Sequence, residues 1–438
     1  MGSQYQELEQ QALAVLKRND RGTHTVPQED MYPHAWLWDG GFISIGLSHV
    51  DARRAATELD TIFGGQWDNG MIANMRFNSM RPDWLLWNSR LNRYSPHFIH
   101  TSGITQPPIL AEAVQRVSHR LNRDDRRAFT NAVLGRLASY HQWIYDERNP
   151  NGNGLFTAVH PWETGMENMP TWIEHMRTLN WGLRGAMLRS LNKVIQLARR
   201  DTKHTPADQR PNSEESLLHL QSFMSLRNNR YDHKRLADKH PLHVEDVQLN
   251  SILIRNNEIL EKLSDEYKCP LPDTLRQHMA QTRTNIEQLW DDESGLYYPR
   301  DAVSGQHIKI ATIASLLPLY AGSIRQERAD SLVVHLQDSE SFNAPYGVPT
   351  VPQNSPYFRE KSYWSGPTWV NSNWLLIEGL KRSRHKELAR QLGKSTLNMI
   401  EVGGLDEYFS PLTANGLGAK SFSWTAALAL DLINQFSD

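Results

Sequence analysis

The sequence predicts a mainly helical protein arranged as a toroid of helical hairpins, and three observations carry that expectation. Apolar residues recur at helical spacing along most of the chain, while alternating strand patterns are scarce and short. Two connections repeat one design: WIYDERNPNGNGLFTAVHP (143–161) and LWDDESGLYYPRD (289–301) each leave an aromatic-rich helix through an acidic, glycine-containing turn and resume as Gly-Leu-aromatic. Long loops rich in Trp and Gly separate the helices, as they would if they met at the mouth of a central pocket. At 438 residues the chain exceeds the ~250–300 at which an ordinary core stops growing, and a closed repetitive architecture keeps it in a single domain, 1–438.

The elements follow in order. Leu8, Ala12, Val15 and Leu16 share one face of an N-terminal helix, and Ala55, Leu59, Ile62 and Phe63 share a face behind a cap at Asp51. Between them an apolar helix follows the segment YPHAWLWDGGF (32–42). Further helices are expected at 107–121, 124–145, 172–200, 215–228, 244–266, 272–290, 308–336, 366–382, 384–400 and 422–436. The stretch DTKHTPADQRPNSEES (201–216) is polar, with two prolines and no apolar period, and reads as a surface loop or lid.

Composition removes several function classes. Lys and Arg total 47 against 49 Asp and Glu, so there is no long-range field to draw in nucleic acid or an anionic membrane. The single Cys269 excludes an intrachain disulfide and any multi-Cys metal site, and with no matched base nearby it reads as structural rather than nucleophilic. The longest apolar run, 310–322, is too short to span a bilayer and contains Pro318. A cytoplasmic protein is expected, without metal or cofactor, since the 18 histidines form no ligand spacing and no phosphate-binding or nucleophile-elbow motif occurs. Whether copies associate is left open. The composition has one oddity: 14 Trp against 12 Phe. Core filling accounts for some, but aromatic faces also stack against the C–H surfaces of sugar rings.

Position narrows that choice. YPHAWLWDGGF gathers Tyr32, Trp36, Trp38 and Asp39, a sugar-binding wall with one carboxylate, or else a helix N-cap at Asp39 with both tryptophans in the core. QWDNGMIANM (66–75) and TSGITQPP (101–108, with Gln106) set amides beside tight turns, suited to hydroxyl recognition and to turn chemistry alike. HPWETGMENMPTW (160–172) carries Glu163 and Glu167 around Gly165, between Trp162 and Trp172; a carboxyl against such surface keeps its proton nearer neutral pH, as a general acid must. KSYWSGPTWVNSNW (361–374) places Tyr363, Trp364 and Trp369 around Gly366, and GGLDEYFSPLTANGLGAKSFSW (403–424) carries Asp406 and Glu407. Two carboxyls on distant loops with aromatic walls between are the parts of a glycosidase.

In their order, YPHAWLWD, ELDTIFGGQWDNGMI, TSGITQPP, HPWETGMEN, HVEDV, YWSGPTW, EYFSPLT and SWTAAL resemble glycoside hydrolase family 63, closest to its glucosylglycerate and mannosylglycerate hydrolases and more distantly to trehalases and processing α-glucosidases. The resemblance implies an (α/α)6 barrel and inverting hydrolysis of an α-glucoside or α-mannoside. It puts the general acid at Glu167 and the general base at Glu407, and carries sugar contacts to Tyr32, Trp36, Trp38, Asp39, Gln106, Trp162, Gly165, Tyr363, Trp364, Gly366 and Trp369. Three departures stand out: Glu167 replaces the family's Asp, Met169 its Ser, and Thr413-Ala414 its Thr-Gly. The family's carboxylate-binding Arg aligns with apolar sequence near Leu217 and Leu218, leaving Arg227 or Arg230 as substitutes. The expected partner is a small carbohydrate. A histidine-driven sugar epimerase on the same toroid, or a sugar-binding relative that has lost catalysis, are the alternatives.

Overall fold

The computed structural model describes residues 5–78, 89–182 and 205–437. Its helices are α1 Gln6–Asn19, α2 Leu37–Leu47, α3 Ala52–Phe63, α4 Leu110–Arg120, α5 Arg123–Glu147, α6 Pro170–Thr178, α7 Ser213–Asn228, α8 His233–Lys239, α9 Val247–Glu266, α10 Asp273–Asn285, α11 Pro318–Ala321, α12 Gln326–Gln337, α13 Val370–Arg382, α14 Lys386–Gly403 and α15 Ser423–Phe436. Six of them close a ring by packing α2 on α4, α4 on α9, α9 on α11, α11 on α13, α13 on α15 and α15 back on α2. The others lie outside it: α1 against α15, α3 against α2 and α4, α5 against α4 and α9, α10 against α9, α12 against α11, and α14 against α13 and α15. Outer and inner helices alternate along the chain, so the expected toroid is an (α/α)6 barrel.

Burial follows from that placement. The inner helices α2, α9, α13 and α15 are buried on nearly all sides, as a helix surrounded by others must be. Glycines let α2 and α15 approach closely, since a Cβ on Gly46 would lie 2.1 Å from the Ala427 carbonyl. Asp51 caps α3 as expected, accepting the Arg54 N–H at 2.9 Å.

Several expectations need correction. The helix predicted over 308–336 is broken into a 3-10 turn (Ile313–Leu316), α11 and α12. Pro318 can only begin a helix, and Gly322 ends α11 in the left-handed conformation (φ 68°). The helix expected over 172–200 stops at Thr178 in α6, and its remainder from 183 lies outside the described residues. Trp290, expected on a helix, begins strand β5 (Trp290–Asp291), paired with β6 (Leu296–Tyr297) and covered by the Arg328 guanidinium 4.7 Å from its ring. Cys269 is exposed in the α9–α10 connection. Among the described residues no helix is long and apolar enough to cross a membrane.

The two repeated connections do meet on one face. Strand β3 (Thr157–Ala158) from the first and β7 (Arg300–Asp301) from the second flank β4 (Val244–Glu245), which leads into inner helix α9. Buried Glu245 ties them, accepting from Asn151 (3.0 Å), Asn153 (2.7 Å) and Arg300 (2.6 Å). Thus the N-terminal ends of the inner helices open into these loops, while α6, α7 and α8 are inserted between outer α5 and inner α9.

Candidate active site

The loop carrying Glu167 is built from its base upward. Glu163, four residues earlier, is wholly buried and takes a two-pronged ion pair from Arg148 (2.5 and 2.7 Å) together with the Val159 N–H (2.9 Å). It is therefore the anchor of the loop, not a group facing a ligand. Gly165 turns the chain at φ 67° directly against Trp38, where a Cβ would lie 2.3 Å from the ring. Beyond the turn, His219 on α7 donates to the Glu167 carbonyl (2.9 Å), and Asn168 accepts the Trp364 N–H (2.8 Å) while its carbonyl receives the Ser365 hydroxyl (2.7 Å). The backbone on both sides of Glu167 is thereby fixed to two other loops.

The Glu167 side chain itself is treated differently. Its Oε2 is buried with no hydrogen bond within 3.5 Å; Nε1 of the neighbouring Trp364 indole also lacks a partner at that distance, and its pull on the carboxyl opposes the rise that burial causes. Burial pushes its carboxyl up to about 7, and the negative charge of Glu407 adds to the rise against the opposing Arg210 cation. A third carboxyl, Asp39 in the first turn of α2, is raised well above its usual range by burial, with Glu167 and Glu407 adding to it.

Glu407 stands in a hairpin whose strands are β8 (Tyr408–Phe409) and β9 (Gly416–Leu417). Its carboxylate is almost wholly buried but fully hydrogen-bonded. Oε1 accepts from the Tyr32 hydroxyl (2.7 Å) and Arg210 (3.4 Å), and Oε2 from the Ala419 N–H (2.8 Å) and Arg210 (3.1 Å). Gly418 makes room at φ 71°, since a Cβ there would lie 2.4 Å from Oε2. Two carboxyls close enough to act on each other thus stand in opposite condition: burial raises one to about 7, and the other has both oxygens occupied by hydrogen bonds.

The predicted aromatic residues divide into two layers. Trp364 stacks flat on Trp369 (centroids 3.7 Å apart), Trp369 on Tyr408 (4.5 Å), and Trp38 packs edge-on against Trp424 (5.5 Å). Trp38, Trp364 and Trp369 are at most 2% exposed, so most of the tryptophan surplus is a packed floor and not a stacking wall. Gln106 is also buried, accepting the Trp38 N–H at 3.3 Å, and Gly366 is a close-approach position, where a Cβ would lie 2.4 Å from the Arg359 carbonyl. Above this floor Tyr32, Trp36, Trp162, Glu167 and Tyr363 remain half-exposed. Of the predicted site residues, these five keep partly exposed surface.

Arg210 was not legible as a site residue. It lies in the polar stretch read as a surface lid, of which 205–216 is described, yet it is only 3% exposed, with its guanidinium over the rings of Tyr363 (4.9 Å) and Tyr32 (5.7 Å). Gln209 beside it accepts the Gly418 N–H at 2.9 Å, seating this segment on the Glu407 hairpin. Arg227 and Arg230, the expected substitutes, are half-exposed and exposed. Nothing near Arg210 in sequence marks it, because its partner is 197 residues away. Beside it opens a cavity of about 420 Å³, lined also by Asp208, Arg359, Glu360 and Lys361.

Known proteins agree with this arrangement. The family model for the mannosylglycerate hydrolase MGH1-like glycoside hydrolase domain matches residues 32–425. The chain is 36% identical to a mannosylglycerate hydrolase of Thermus thermophilus over 96% of its own length and 99% of the relative's. It is 32% identical to a glucosylglycerate hydrolase of Mycolicibacterium hassiacum, covering 97% of each. The crystal structure of a GH63 mannosylglycerate hydrolase from Thermus thermophilus, in complex with Tris and D-glycerate, superposes with a TM-score of 0.88 at 35% identity, over 97% of this chain and 99% of that one. Yeast neutral trehalase shares the fold, with a TM-score of 0.61 at 15% identity, over 95% of this chain and 73% of that one. A closed ring of six inner helices, a family model spanning residues 32–425 and near-complete coverage by these relatives lead to one conclusion: the chain belongs to the MGH1-like glycoside hydrolases of family 63.

Proposed function

We propose that the protein is an inverting α-glycoside hydrolase of small glycosylglycerates, with Glu167 as general acid and Glu407 as general base. The observation that carries the assignment is the opposite condition of the two carboxyls: burial raises Glu167 to about 7, while Glu407 is hydrogen-bonded on both oxygens to Tyr32, Arg210 and the Ala419 N–H. In the reaction Glu167 gives its proton to the glycosidic oxygen while Glu407 takes one from a water attacking C1 from the other face, a scheme that needs the carboxyls about 6.5–9.5 Å apart. Half-exposed Trp36, Trp162 and Tyr363 supply faces for the sugar, and Asp39 and Gln106 lie next to them as hydroxyl partners. We take the whole chain as one catalytic domain acting in the cytoplasm.

A carboxylate-bearing aglycone suits the pocket because a buried cation, Arg210, lies on the base side, next to a cavity flanked by Arg359 and Lys361. The relatives are hydrolases of mannosylglycerate and of glucosylglycerate by name, which supports the same class of substrate. Arg210, and not the expected substitutes Arg227 or Arg230, is the cation we assign to the aglycone. Against the epimerase alternative, His160, His219 and His240 each commit one ring nitrogen to a backbone carbonyl, of residues 219, 167 and 159.

The test is incubation with both glycosylglycerates while NMR follows the sugar first released. A β-anomer from an α-substrate is expected, and an α-anomer appearing first would overturn inversion. Glu407→Gln should abolish turnover, and full activity in that variant would sink the assignment.

A further inference from the structure

Glu407 has no acceptor position to spare. A carboxylate offers about four lone-pair sites, and here they are taken by Tyr32, the Ala419 N–H and two bonds from Arg210. A group in that condition is a poor base, because it has no site left to accept a hydrogen bond from the attacking water. Two of the four bonds, and the whole positive charge, come from one side chain. Tyr32 and Ala419 hold the carboxylate in place without Arg210, so releasing that residue would free one position on each oxygen and leave the geometry standing.

What would draw Arg210 away is set by its surroundings. Its guanidinium lies between the Tyr32 and Tyr363 rings at the edge of the 420 Å³ cavity, where the other cations are Arg359 and Lys361. Arg359 already pairs with Glu215 at 3.4 Å, and Asp208 and Glu360 also line the space. A small carboxylate entering there competes with Glu407 for the Arg210 guanidinium, which can meet it through two parallel bonds as the Lys361 ammonium cannot.

We propose that Arg210 is a specificity-determining and positioning residue that couples recognition of the substrate's carboxylate to release of Glu407: the incoming carboxylate takes the guanidinium, and the base becomes able to accept a proton from water. This rests on the hydrolase assignment above and adds to it. Glycosides without a carboxylate bind in the sugar pocket but turn over slowly, because nothing draws the cation off the base.

The test uses α-mannosyl and α-glucosyl fluoride with the full-length protein. Fluoride departs with the bonding electron pair as water's oxygen joins C1 and water's proton passes to Glu407, so the base is probed while the aglycone space stays open to an added molecule. D-Glycerate should raise kcat on the fluoride saturably and about tenfold, the rate equivalent of roughly one charge-assisted hydrogen bond, whereas glycerol should not. Arg210→Gln should show a raised rate on the fluoride alone, a higher KM for glycosylglycerate and no response to glycerate. Arg210→Lys, which keeps the charge but not the paired bonds, should keep a weak response and serves if the Gln variant does not fold. Glycerate that only inhibits, or that still activates Arg210→Gln, would overturn the coupling. Glycosylglycerates cleaved normally with no glycerate effect on the fluorides would overturn the coupling and leave the hydrolase standing, while no cleavage of any α-glycoside would overturn both.

Discussion

The two ends of the inner ring bury carboxyl groups to opposite effect. At the N-terminal ends of its helices lie Glu167 and Asp39, both raised by burial, and Oε2 of Glu167 has no partner. Toward the other end, where the first turn of α4 meets the middle of α9 and the later turns of α13 and α15, lies a closed ion network: Arg116 pairs with Glu112 (2.7 Å) and Glu378 (2.8 Å), Arg255 pairs with Glu112 (2.9 Å), and Asp431 accepts from Trp374 (2.7 Å) and faces His49 (2.8 Å). There burial also works to raise the acids, but the guanidiniums outweigh it for Glu112, which ends below its usual range, and Asp431 falls to about 2 through His49, Arg116 and Trp374. Burial is common to both ends; the presence of a partner decides the sign. The barrel keeps ionised acids where it must hold together and leaves one unpaired where a proton has to be given away.

The comparison is broken most severely at the mouth. Glu407→Gln removes the carboxylate and should lower kcat by about 10²–10⁴; because it also leaves buried Arg210 without its acid partner, kcat is read on the folded fraction, from steady-state kinetics beside a thermal melt. At the closed end stability is what changes: Arg116→Ala leaves Glu112 to Arg255 alone and Glu378 to Lys381 alone and should cost up to about 3 kcal/mol of stability, seen as a lower urea midpoint. The kcat of the protein that remains folded should be unchanged. If Arg116→Ala leaves stability intact and lowers kcat, the two ends do not divide the labour as argued.

A subtler change shifts the acid without removing it. Glu167→Asp restores the residue that the family carries there but withdraws the carboxyl by one methylene from a loop whose backbone His219 and Asn168 already fix. A displacement of about 1 Å is worth on the order of a hundredfold in rate, so kcat should fall by about that much on glycosylglycerate. Hydrolysis of the glycosyl fluorides, which need little proton donation, should be nearly unaffected. Equal losses on both substrates would mean that the variant disturbs the pocket and not proton delivery.

Features of the two ends differed in how far they could be read from the chain. Glu167 and Glu407 were legible because each sits among aromatic and glycine residues adjacent in sequence, and the helical ring was legible from periodicity. Arg210 was not, since a polar run with two prolines looks the same whether its arginine faces water or turns onto an acid 197 positions away. The closed end was equally hidden: Glu112, Arg116, Arg255, Glu378 and Asp431 are spread over four helices, and each alone reads as an ordinary helical charge. Trp38, Trp364 and Trp369 were placed at the mouth but assigned to its wall, because a motif shows which loop a ring belongs to and not which side of it is covered. The 308–336 helix was overextended because apolar periodicity continues through Pro318 and Gly322 while the backbone does not.

The smallest expected effect tests the sign at Glu167 directly. Its pKa in the folded protein lies at about 7, above the 4.5 of an unburied Glu, so the unfolded chain gives up its proton first as pH rises. The group's contribution to stability is therefore full below about 4.5 and is lost as pH climbs through 7. Glu167→Gln carries no such loss. Its melting temperature should exceed that of the native protein by about 1–3 °C at pH 8, with the gap closing by pH 5. Asp431 runs the other way: its pKa of about 2, below the usual 3.8, gives stability that is present above about 3.8 and lost as pH falls through 2. Asp431→Asn should accordingly be less stable than the native protein at pH 7 and approach it only in strong acid. Matching melts with the same sign for both variants would remove the distinction between the paired and unpaired ends of the ring.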